Sequence, residues 1–376
     1  MLTRTVDLEA RDYTAIAVGD GTNQPLDILL LEDEISPVGA LAKVRVGHLA
    51  PFAPDPGTSV DICHQDGTPV AGLEGVAYGD ISGYLPLPAD TYDLKIAAPG
   101  CRAILIDPMP AAFSGGDLLS IFAVGDGDNQ PLGIFVLPSD EEGFFLDLAA
   151  SLQVAHLAPF APDPGTAVDV SIDSTQVLTN FAFADSTGYL PLQAGVDHLI
   201  EVFPAGSGTA AITATVNLTH PLDYTAIAVG GANEWDLDLL LLEDDNTAPP
   251  GGKLKARIGH LAPFADTEAG TLADVRLQDG TPVLPMSVGY GTYTDFYTPL
   301  DAGPYDLKIT APGGSPTLID PFIATFEEGD ILSVFAVGDG NNQPLGVFAL
   351  PSGEPGFLLP LARYQWLPLV AKDATP

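Results

Sequence analysis

Residues His48–Thr58 read HLAPFAPDPGT, and the same residues return at His156–Thr166. A related segment, HLAPFADTEAGT, begins at His260, so the copies start 108 and 104 residues apart. A period of this length is far above that of solenoid repeats and is typical of one β-sandwich domain. The chain is therefore interpreted as a tandem array.

A second phrase, AVGDGTNQPL, begins at Ala17 and has counterparts at Ala123, Ala228 and Ala336. It has one more copy than the first phrase, so the chain begins inside a repeat. The repeats also resemble each other alternately, in the order B (partial), A, B, A. We expect the chain to be a fragment of a longer parent protein in which an A and B pair was duplicated.

These phrases divide the chain into five parts, which are a partial repeat at residues 1–35, repeat 1 at 40–149, repeat 2 at 150–243, repeat 3 at 253–361 and a tail at 362–376. The linker 243–253 (EDDNTAPPGGK) is expected to be the most flexible joint. The tail contains YQWLPLV around Trp366, which is interpreted either as an attachment element or as a last strand.

Short strands and turns dominate each repeat. Apolar Val44 and Val46 alternate with charged Lys43 and Arg45, which is the pattern of a half-buried strand. Asp66-Gly67 predicts a type I′ hairpin. Seven or eight strands fit each repeat, and no segment has a helical period. The sequence predicts an all-β fold of tandem immunoglobulin-like antiparallel β-sandwich domains, three of them complete and one partial.

Several of these motifs together resemble a known family. The R-V-x-H-L-A-P opening, GYLPL at Gly83 and Gly188, and DYTAIAVG at Asp12 and Asp223 are similar to the bacterial family catalogued as domain of unknown function 4397. The resemblance covers residues 1 to about 361. It implies a secreted or cell-surface β-sandwich array without established catalytic residues.

Repeat 3 departs from the family pattern in two places. Asp295 and Phe296 stand where repeat 1 has Gly83 and Tyr84. Asp266-Thr267-Glu268 stands where the other proline-rich segments have Pro-Asp-Pro. We expect the loop of repeat 3 to differ in shape.

The charge balance excludes several classes of protein. The 376 residues carry 50 Asp and Glu against 13 Lys and Arg, a net charge of −37, and 46% of them are hydrophobic. The chain is too apolar for a disordered acidic tail and too acidic to bind nucleic acid or anionic lipid. No apolar run reaches the length of a membrane span, and no signal peptide opens the sequence. We expect one upstream, and an extracellular or cell-surface location.

Cys63 and Cys101 are the two cysteines of the chain, and both lie in repeat 1. Repeat 3 has Arg276 and Gly314 at the matching positions. Because the cysteines are lost together, the sequence predicts a disulfide formed in an oxidising compartment. Two unpaired thiols are the alternative.

His48, His156 and His260 end the first strand of each complete repeat. Imidazole is a good base and metal ligand, but catalytic groups are seldom present in triplicate. We interpret each histidine as a structural residue that hydrogen-bonds the proline-rich loop after it.

Acidic turns provide the candidate metal ligands. Hard oxygen donors suit Ca²⁺, and they occur at Asp126, Asp128, Asn129, Asp339, Asn341 and Asn342. The same residue types are also those that ordinary hairpin turns require. Both readings stay open, and no other cofactor is indicated.

The sequence favours a non-catalytic extracellular repeat protein that acts as a spacer and as a binding or adhesion module for an unidentified envelope polymer or protein. One alternative is a fibre subunit assembled by strand addition, with self-association through the incomplete first repeat. Another is a carbohydrate-processing enzyme that uses Asp55 and Asp61, although both recur as Asp163 and Asp169. A last group of aromatic residues is interpreted as loop anchors or sugar platforms: Tyr84, Tyr189, Phe52, Phe160 and Phe264.

Overall fold

A computed structural model describes residues 3–34, 36, 39–294 and 297–361. Over these ranges the chain forms 31 β-strands and one four-residue helix, so the all-β prediction is confirmed. No described helix is long and apolar enough to cross a membrane. Asp295, Phe296 and the tail with Trp366 lie outside the described residues, and the predictions made for them stay open.

The strands follow the repeats. The partial repeat contributes β1 (Tyr13–Val18) and β2 (Asp27–Glu32). Repeat 1 contains β3 (Leu41–His48), β4 (Asp61–His64), β5 (Leu85–Pro88), β6 (Asp90–Tyr92), β7 (Leu94–Ala97), β8 (Ile104–Ile106), β9 (Ala111–Phe113), β10 (Leu118–Val124), β11 (Gly133–Pro138) and β12 (Phe144–Phe145). Repeat 2 contains β13 (Ala149–His156), β14 (Val168–Ile172), β15 (Thr175–Phe181), β16 (Ser186–Gln193), β17 (Asp197–Pro204), β18 (Ile212–Asn217), β19 (Asp223–Val229) and β20 (Asp238–Asp244). Repeat 3 contains β21 (Lys253–His260), α1 (Glu268–Thr271), β22 (Asp274–Leu277), β23 (Thr292–Tyr293), β24 (Thr298–Asp301), β25 (Gly303–Tyr305), β26 (Leu307–Thr310), β27 (Thr317–Ile319), β28 (Ala324–Phe326), β29 (Ile331–Val337), β30 (Gly346–Pro351) and β31 (Phe357–Leu358).

Repeat 1 is built from a large and a small sheet. The large sheet has the order β12-β11-β10-β3-β5, and the small one β4-β7-β8. Val44, Leu119 and Val136 of the large sheet form a core cluster with Ile106 of the small one. Apolar side chains on the facing sides of both sheets therefore hold the sandwich together.

One pairing in this sandwich is parallel. The opening strand β3 pairs in parallel with β10, and β21 pairs in the same way with β29 in repeat 3. This pairing is an exception to the antiparallel arrangement that the sequence predicts. The parallel pairing places the end of the opening strand, at His48, beside Ala123 at the start of the second phrase.

The segment Tyr92–Ala97 is divided between two strands. Its first part, β6, pairs with β9, whereas its second part, β7, pairs with β4 and β8. The chain thus changes sheets near Asp93. This exchange, and its counterpart at β25 and β26, is one reason why repeats 1 and 3 contain more strands than expected.

The hairpin at Asp66-Gly67 is not of type I′. Gly67 has a positive φ of 81°, but Asp66 does not have a positive φ. Instead, Asp66 Oδ1 accepts hydrogen bonds from the backbone N–H of Thr68 at 2.8 Å and from its hydroxyl at 2.6 Å. The aspartate side chain therefore closes this turn.

Chain packing divides the described residues into two compact units. The first takes its residues from Met1–Leu152, Leu190–Asp197 and Asn217–Tyr224, and the second from Gln153–Tyr189, His198–Val216 and Thr225–Pro376. The first unit contains the partial repeat and repeat 1. The second contains most of repeat 2 and all described residues of repeat 3.

Within the second unit, repeats 2 and 3 share a core. One cluster of buried residues combines Leu157, Ile227 and Leu242 of repeat 2 with Phe335 and Phe348 of repeat 3. Repeats 2 and 3 are therefore not cored independently of each other. Because β19 and β29 carry apolar residues on both faces, their outer faces must also be covered.

The opening strands are buried on both faces, not half-buried. Lys43 and Arg45 are only 8% and 4% exposed. Arg45 donates to Asp33 Oδ1 at 2.7 Å and to Ser120 Oγ at 2.7 Å, and its guanidinium lies 4.8 Å from the centre of the Tyr84 ring. The ion pair with Asp33 and the contact with the Tyr84 ring allow the face of β3 that carries Arg45 to be buried. The alternation of apolar and charged residues in the sequence does not reveal this burial.

The linker before repeat 3 is held by contacts that the expectation of a flexible joint did not include. Arg257 Nη1 lies 2.9 Å from Asp244 Oδ1, and both residues are buried. Lys255 pairs with Asp245 at 2.6 Å. Two basic residues of β21 therefore fasten the acidic segment that precedes it.

Cys63 and Cys101 form a disulfide. The two cysteines are 38 residues apart in the sequence, and their Cα atoms are 6.1 Å apart. In repeat 3 an ion pair occupies this place, because Arg276 pairs with Asp274 at 2.7 Å and lies against Gly314. Both members of this ion pair belong to β22, so it does not tie that strand to the turn at Gly314 as the disulfide ties β4 to the turn at Cys101.

We expect the double variant Cys63→Ala/Cys101→Ala to lose about 3–4 kcal/mol of local stability, because the loop of the unfolded chain is no longer closed. The measurement is amide exchange of β4 and β7 against urea concentration. The matched variant Cys63→Arg/Cys101→Gly reproduces the residues of repeat 3 and should lose less, since the arginine can pair with Asp61. Equal stability of wild type and the double alanine variant would contradict the prediction.

Candidate functional site: the loops that join neighbouring repeats

Each repeated histidine fastens a proline-rich loop, meaning residues 48–58, 156–166 and 260–271. The Nε2 atoms of His48 and His156 lie 2.7 Å from the carbonyl oxygens of Thr58 and Thr166. His260 Nε2 lies 2.8 Å from the carbonyl oxygen of Thr271. All three imidazoles thus occupy the structural role that the sequence suggested, in three separate places.

The histidine rings are buried and have a defined tautomer. His156 is 1% exposed, and its Nδ1 accepts the backbone N–H of Ala158 at 3.4 Å. Nε2 therefore carries the proton and donates to the threonine carbonyl. Burial lowers the pKa of His48, His156 and His260. A neutral, fully bonded imidazole of this kind is an anchor and has no free nitrogen for a metal or a substrate.

The lowered pKa values predict a pH dependence of stability. Unfolding exposes each imidazole, which then binds a proton below about pH 6.5, whereas the folded state resists protonation. The free energy of unfolding should therefore be highest above that pH and fall as the pH is lowered through it. Urea unfolding at about pH 7.5 and about pH 5.5 measures this difference.

Two variants separate the imidazoles from the carboxylates that also titrate. His156→Gln should reduce the difference between the two pH values. His64→Gln, at an exposed position, should leave it unchanged. A stability that is the same at both pH values in the wild type would refute this role of the buried histidines.

A second set of loops, the docking loops, follows the phrase AVG at Gly19–Leu26, Gly125–Leu132, Gly230–Leu237 and Gly338–Leu345. In the first unit, Asn23 Nδ2 donates to the carbonyl of Pro51 at 3.0 Å. Gln24 Nε2 donates to the carbonyl of Ala53 at 3.2 Å. The docking loop of the partial repeat is thereby bound to the proline-rich loop of repeat 1.

The second unit contains the same contact in both directions. Asn342 and Gln343 of repeat 3 donate to the carbonyls of Pro159 and Ala161 in repeat 2, each at 3.0 Å. In return, Asn233 of repeat 2 donates to the carbonyl of Pro263, and Trp235 Nε1 donates to that of Ala265 at 2.8 Å. Repeats 2 and 3 thus exchange docking loops.

Trp235 shows that the donor matters more than the residue type. It replaces the glutamine of the other docking loops, yet its indole N–H reaches the equivalent alanine carbonyl. Its ring also packs on Tyr290 at a centroid distance of 4.4 Å. An amide and an indole share one property here, an N–H group at the end of a long side chain.

An aspartate and a glycine give three of the four docking loops their shape. Asp339 Oδ1 accepts the backbone N–H groups of Asn341, Asn342 and Gln343 at 2.8–3.1 Å. Gly338 has φ = 83°, and a Cβ there would lie 2.0 Å from the carbonyl oxygen of Pro344. Only glycine fits this position.

The candidate calcium ligands lie in these loops. Asp126 Oδ1 accepts backbone N–H groups from Asp128, Asn129 and Gln130, of which the bond from Gln130 does most to lower its pKa, to about 2. Among the described residues, no cluster of three or more His, Cys, Asp or Glu residues suits a metal. The carboxylate oxygens are thus used for turn formation, and calcium binding remains an untested prediction.

The acidic pairs considered for carbohydrate chemistry also bond to their own repeats. Asp55 Oδ1 accepts the hydroxyl of Thr58 at 3.1 Å. Asp61 accepts the backbone N–H of Gly75 at 2.7 Å and that of Gly100 at 2.6 Å. In repeat 2, Asp163 accepts the hydroxyl of Thr166, and Asp169 accepts the backbone N–H of Asn180. These carboxylates hold loops in position.

The aromatic candidates contact other side chains. Phe52, Phe160 and Phe264 stack on the repeated histidines at centroid distances of 5.5–5.8 Å. The Tyr189 hydroxyl donates to Asp244 at 3.0 Å. Tyr84 lies against Arg45, and Tyr297 makes the same contact with Arg257. The counterpart of Tyr84 in repeat 3 is therefore Tyr297, one residue beyond the position expected from the sequence.

An apolar cavity with a volume of about 200 Å³ lies between the sheets of repeat 3. Met286 and Phe322 line it and are 71% and 55% exposed. Its lining is mostly apolar, so the cavity suits apolar groups and lacks the convergent polar side chains of a typical ligand site.

The docking contact was missed by sequence reasoning, although a signal was present. Asn and Gln follow Gly at fixed spacing in three of the four docking loops. The sequence pattern indicates turns and, for Asn129, Asn341 and Asn342, metal ligands, but it does not reveal the partner carbonyls because they belong to a loop in another repeat.

The family model described as Domain of unknown function (DUF4397) matches residues 52–163 and 150–267, which together span more than half of the chain. The chain belongs to this family. Each match ends within the proline-rich loop of the following repeat, and the second match includes the bonds of Asn233 and Trp235 to that loop.

Comparison with solved structures gives a distant likeness. The Bacillus anthracis TIE protein is 12% identical with a TM-score of 0.18, and the match covers 87% of this chain and 57% of that one. Similarity at this level carries no argument about function. No curated protein matches the chain.

The docking contact predicts a difference between two equivalent variants. Asn342→Ala/Gln343→Ala removes two amide donors from a contact in which Gln343 is 4% exposed, and should cost about 1–3 kcal/mol of stability in the second unit. Asn129→Ala/Gln130→Ala alters the exposed loop of repeat 1 and should cost almost nothing. The stability that each double variant loses is measured by urea unfolding, with amide exchange as the probe. Equal effects would contradict the role of the contact.

Proposed function

We propose that this DUF4397 protein is a non-catalytic extracellular or cell-surface repeat protein that acts as a spacer and as a binding or adhesion module. The observation that carries the proposal is the use of the repeated polar residues. The histidines, aspartates and amide side chains common to the repeats are engaged in bonds that shape loops or join one repeat to the next.

Charge and disulfide chemistry are consistent with this role. The net charge of −37 keeps neighbouring molecules apart and weakens binding to other anionic polymers. The Cys63–Cys101 bond persists in an oxidising compartment. The proposed binding partner is an envelope polymer or protein.

Assembly into a fibre by strand addition is a second candidate, which one observation favours. The two-stranded sheet β1-β2 leaves the second edge of β1 without a strand among the described residues. Light scattering over a concentration series distinguishes the candidates. Growth of the particle mass with concentration supports the fibre, and a constant monomer mass removes it.

The proposed location is tested on intact cells that produce the protein. A membrane-impermeant amine-reactive label should modify it, and a maleimide should not react with it unless a reductant is added. Protein that is labelled only after lysis, with two free thiols, would refute the proposal.

The absence of turnover is tested with a panel of polysaccharides. We expect no hydrolysis by the wild type. Hydrolysis that the wild type performs and that Asp55→Asn abolishes, while the folded state is retained, would establish the carbohydrate enzyme instead.

A further inference from the structure

Among the described residues, three of the four docking loops are bound to a proline-rich loop and the fourth is not. The loop of repeat 1 has the sequence GDGDNQPL, against GDGTNQPL and GDGNNQPL in the loops that are bound. Gln24 and Gln343 are 6% and 4% exposed, whereas Gln130 lies exposed at the surface of repeat 1. The same sequence motif thus occurs once without the partner that buries it elsewhere.

The amide group of the free loop is turned inward. Asn129 Nδ2 donates to Asp126 Oδ2 at 2.7 Å. Asn23 and Asn342 direct the same group to a proline carbonyl of another repeat. Asn129 can therefore donate to another repeat once its side-chain hydrogen bond to Asp126 is broken. The backbone N–H of Asn129 already bonds Asp126 as that of Asn342 bonds Asp339 in a bound loop.

The first unit has a second unfilled position. In repeat 2, β19 lies between β20 and β13, and β13 leads into the proline-rich loop that repeat 3 binds. In the partial repeat, β1 pairs with β2 alone within the described chain. Ala15 and Ala17 of β1 are exposed, whereas their counterparts Ala226 and Ala228 are 1% and 6% exposed.

A third contact between repeats 2 and 3 also has no equivalent at repeat 1 among the described residues. In the second unit, Gln153 of β13 donates to the carbonyls of Pro351 and Glu354 at 3.1 and 2.7 Å. The corresponding segment of repeat 1 is Pro138–Gly143, in which Asp140, Glu141 and Glu142 are exposed. The three positions match one continuous element of repeat 2, its opening strand with the loop that follows.

We propose that the docking loop Asp126–Pro131, the free edge of β1 and the segment Pro138–Gly143 form one docking surface for the opening strand and proline-rich loop of a further DUF4397 repeat. Asn129 donates to the proline carbonyl of that loop and Gln130 to its alanine carbonyl. The strand of the partner extends the β1-β2 sheet. This inference specifies the partner of the binding module proposed above and rests on that proposal.

A second copy of this chain offers no unengaged proline-rich loop among the described residues. The carbonyls of Pro51, Pro159 and Pro263 each already accept an amide from within the same chain. The partner must present a proline-rich loop whose carbonyls are free, which means a repeat beyond the three complete ones here.

The test is an extended chain in which a copy of residues 150–214 replaces residues 1–4 and is joined to Thr5. This junction follows the match of Thr5-Val6 to Thr215-Val216. Amide exchange of β1 should become at least about tenfold slower than in the original chain, since burial in a sheet protects the amides. In the extended chain, Asn129→Ala/Gln130→Ala should weaken this protection about tenfold, because two hydrogen bonds are lost.

Asp128→Ala is the matched control, since this exposed side chain of the same loop takes no part in the proposed contact and should leave the protection unchanged. A second measurement uses a labelled peptide of residues 149–166, AASLQVAHLAPFAPDPGT, titrated onto the original chain. It should bind saturably, and Asn129→Ala/Gln130→Ala should weaken its binding about tenfold.

Three results would overturn the inference. One is unchanged exchange of β1 in the extended chain together with no binding of the peptide. The second is equal behaviour of the Asp128 variant and the double variant. The third is dimerisation of the original chain that the double variant abolishes, because a second copy would then be the occupant. An intracellular location would refute the proposed function and leave this surface unaffected.

Discussion

The carbonyl groups of the proline-rich loops are the constraint on which the paired repeats depend. Proline has no N–H and cannot join a regular ladder, so a loop such as Pro159–Pro164 has few donors of its own for the carbonyls that become buried. The structure satisfies them from two sides. The imidazole of His156 bonds the end of the loop from within the repeat, and the amides of Asn342 and Gln343 bond its middle from the neighbouring repeat. A loop that cannot be completed internally thus becomes the joint between repeats.

The shared core of repeats 2 and 3 reinforces this joint. Leu157 directly follows His156 and lies in the same buried cluster as Phe335 and Phe348. Polar loop contacts and apolar packing therefore act at one interface, the first giving register and the second most of the free energy. The buried pair of Arg257 and Asp244 adds a charged contact that is costly to break singly, which further fixes the linker.

Much of this architecture could be predicted from the sequence, since the repeat phrases and strand-length patterns establish the all-β class and the repeat period. The structural use of His48 and its equivalents also followed from their being present three times. Burial on both faces of β3 did not, because Arg45 has the appearance of a surface residue until Asp33 and Tyr84 are placed beside it. The docking contact was hidden for the same reason: Asn342 and Pro159 are 183 residues apart, and a turn-forming residue type gives no sign of a distant partner.

Amide exchange in the variant Leu242→Ala tests the sharing of a core between repeats most directly. Leu242 belongs to repeat 2, is 4% exposed and lies in the shared cluster. Truncation of such a residue costs about 2–5 kcal/mol. The account predicts that β29 and β30 of repeat 3 lose protection together with β19 of repeat 2. Loss of protection confined to repeat 2, with repeat 3 as slow to exchange as in the wild type, would show that the repeats are independently cored and would contradict it.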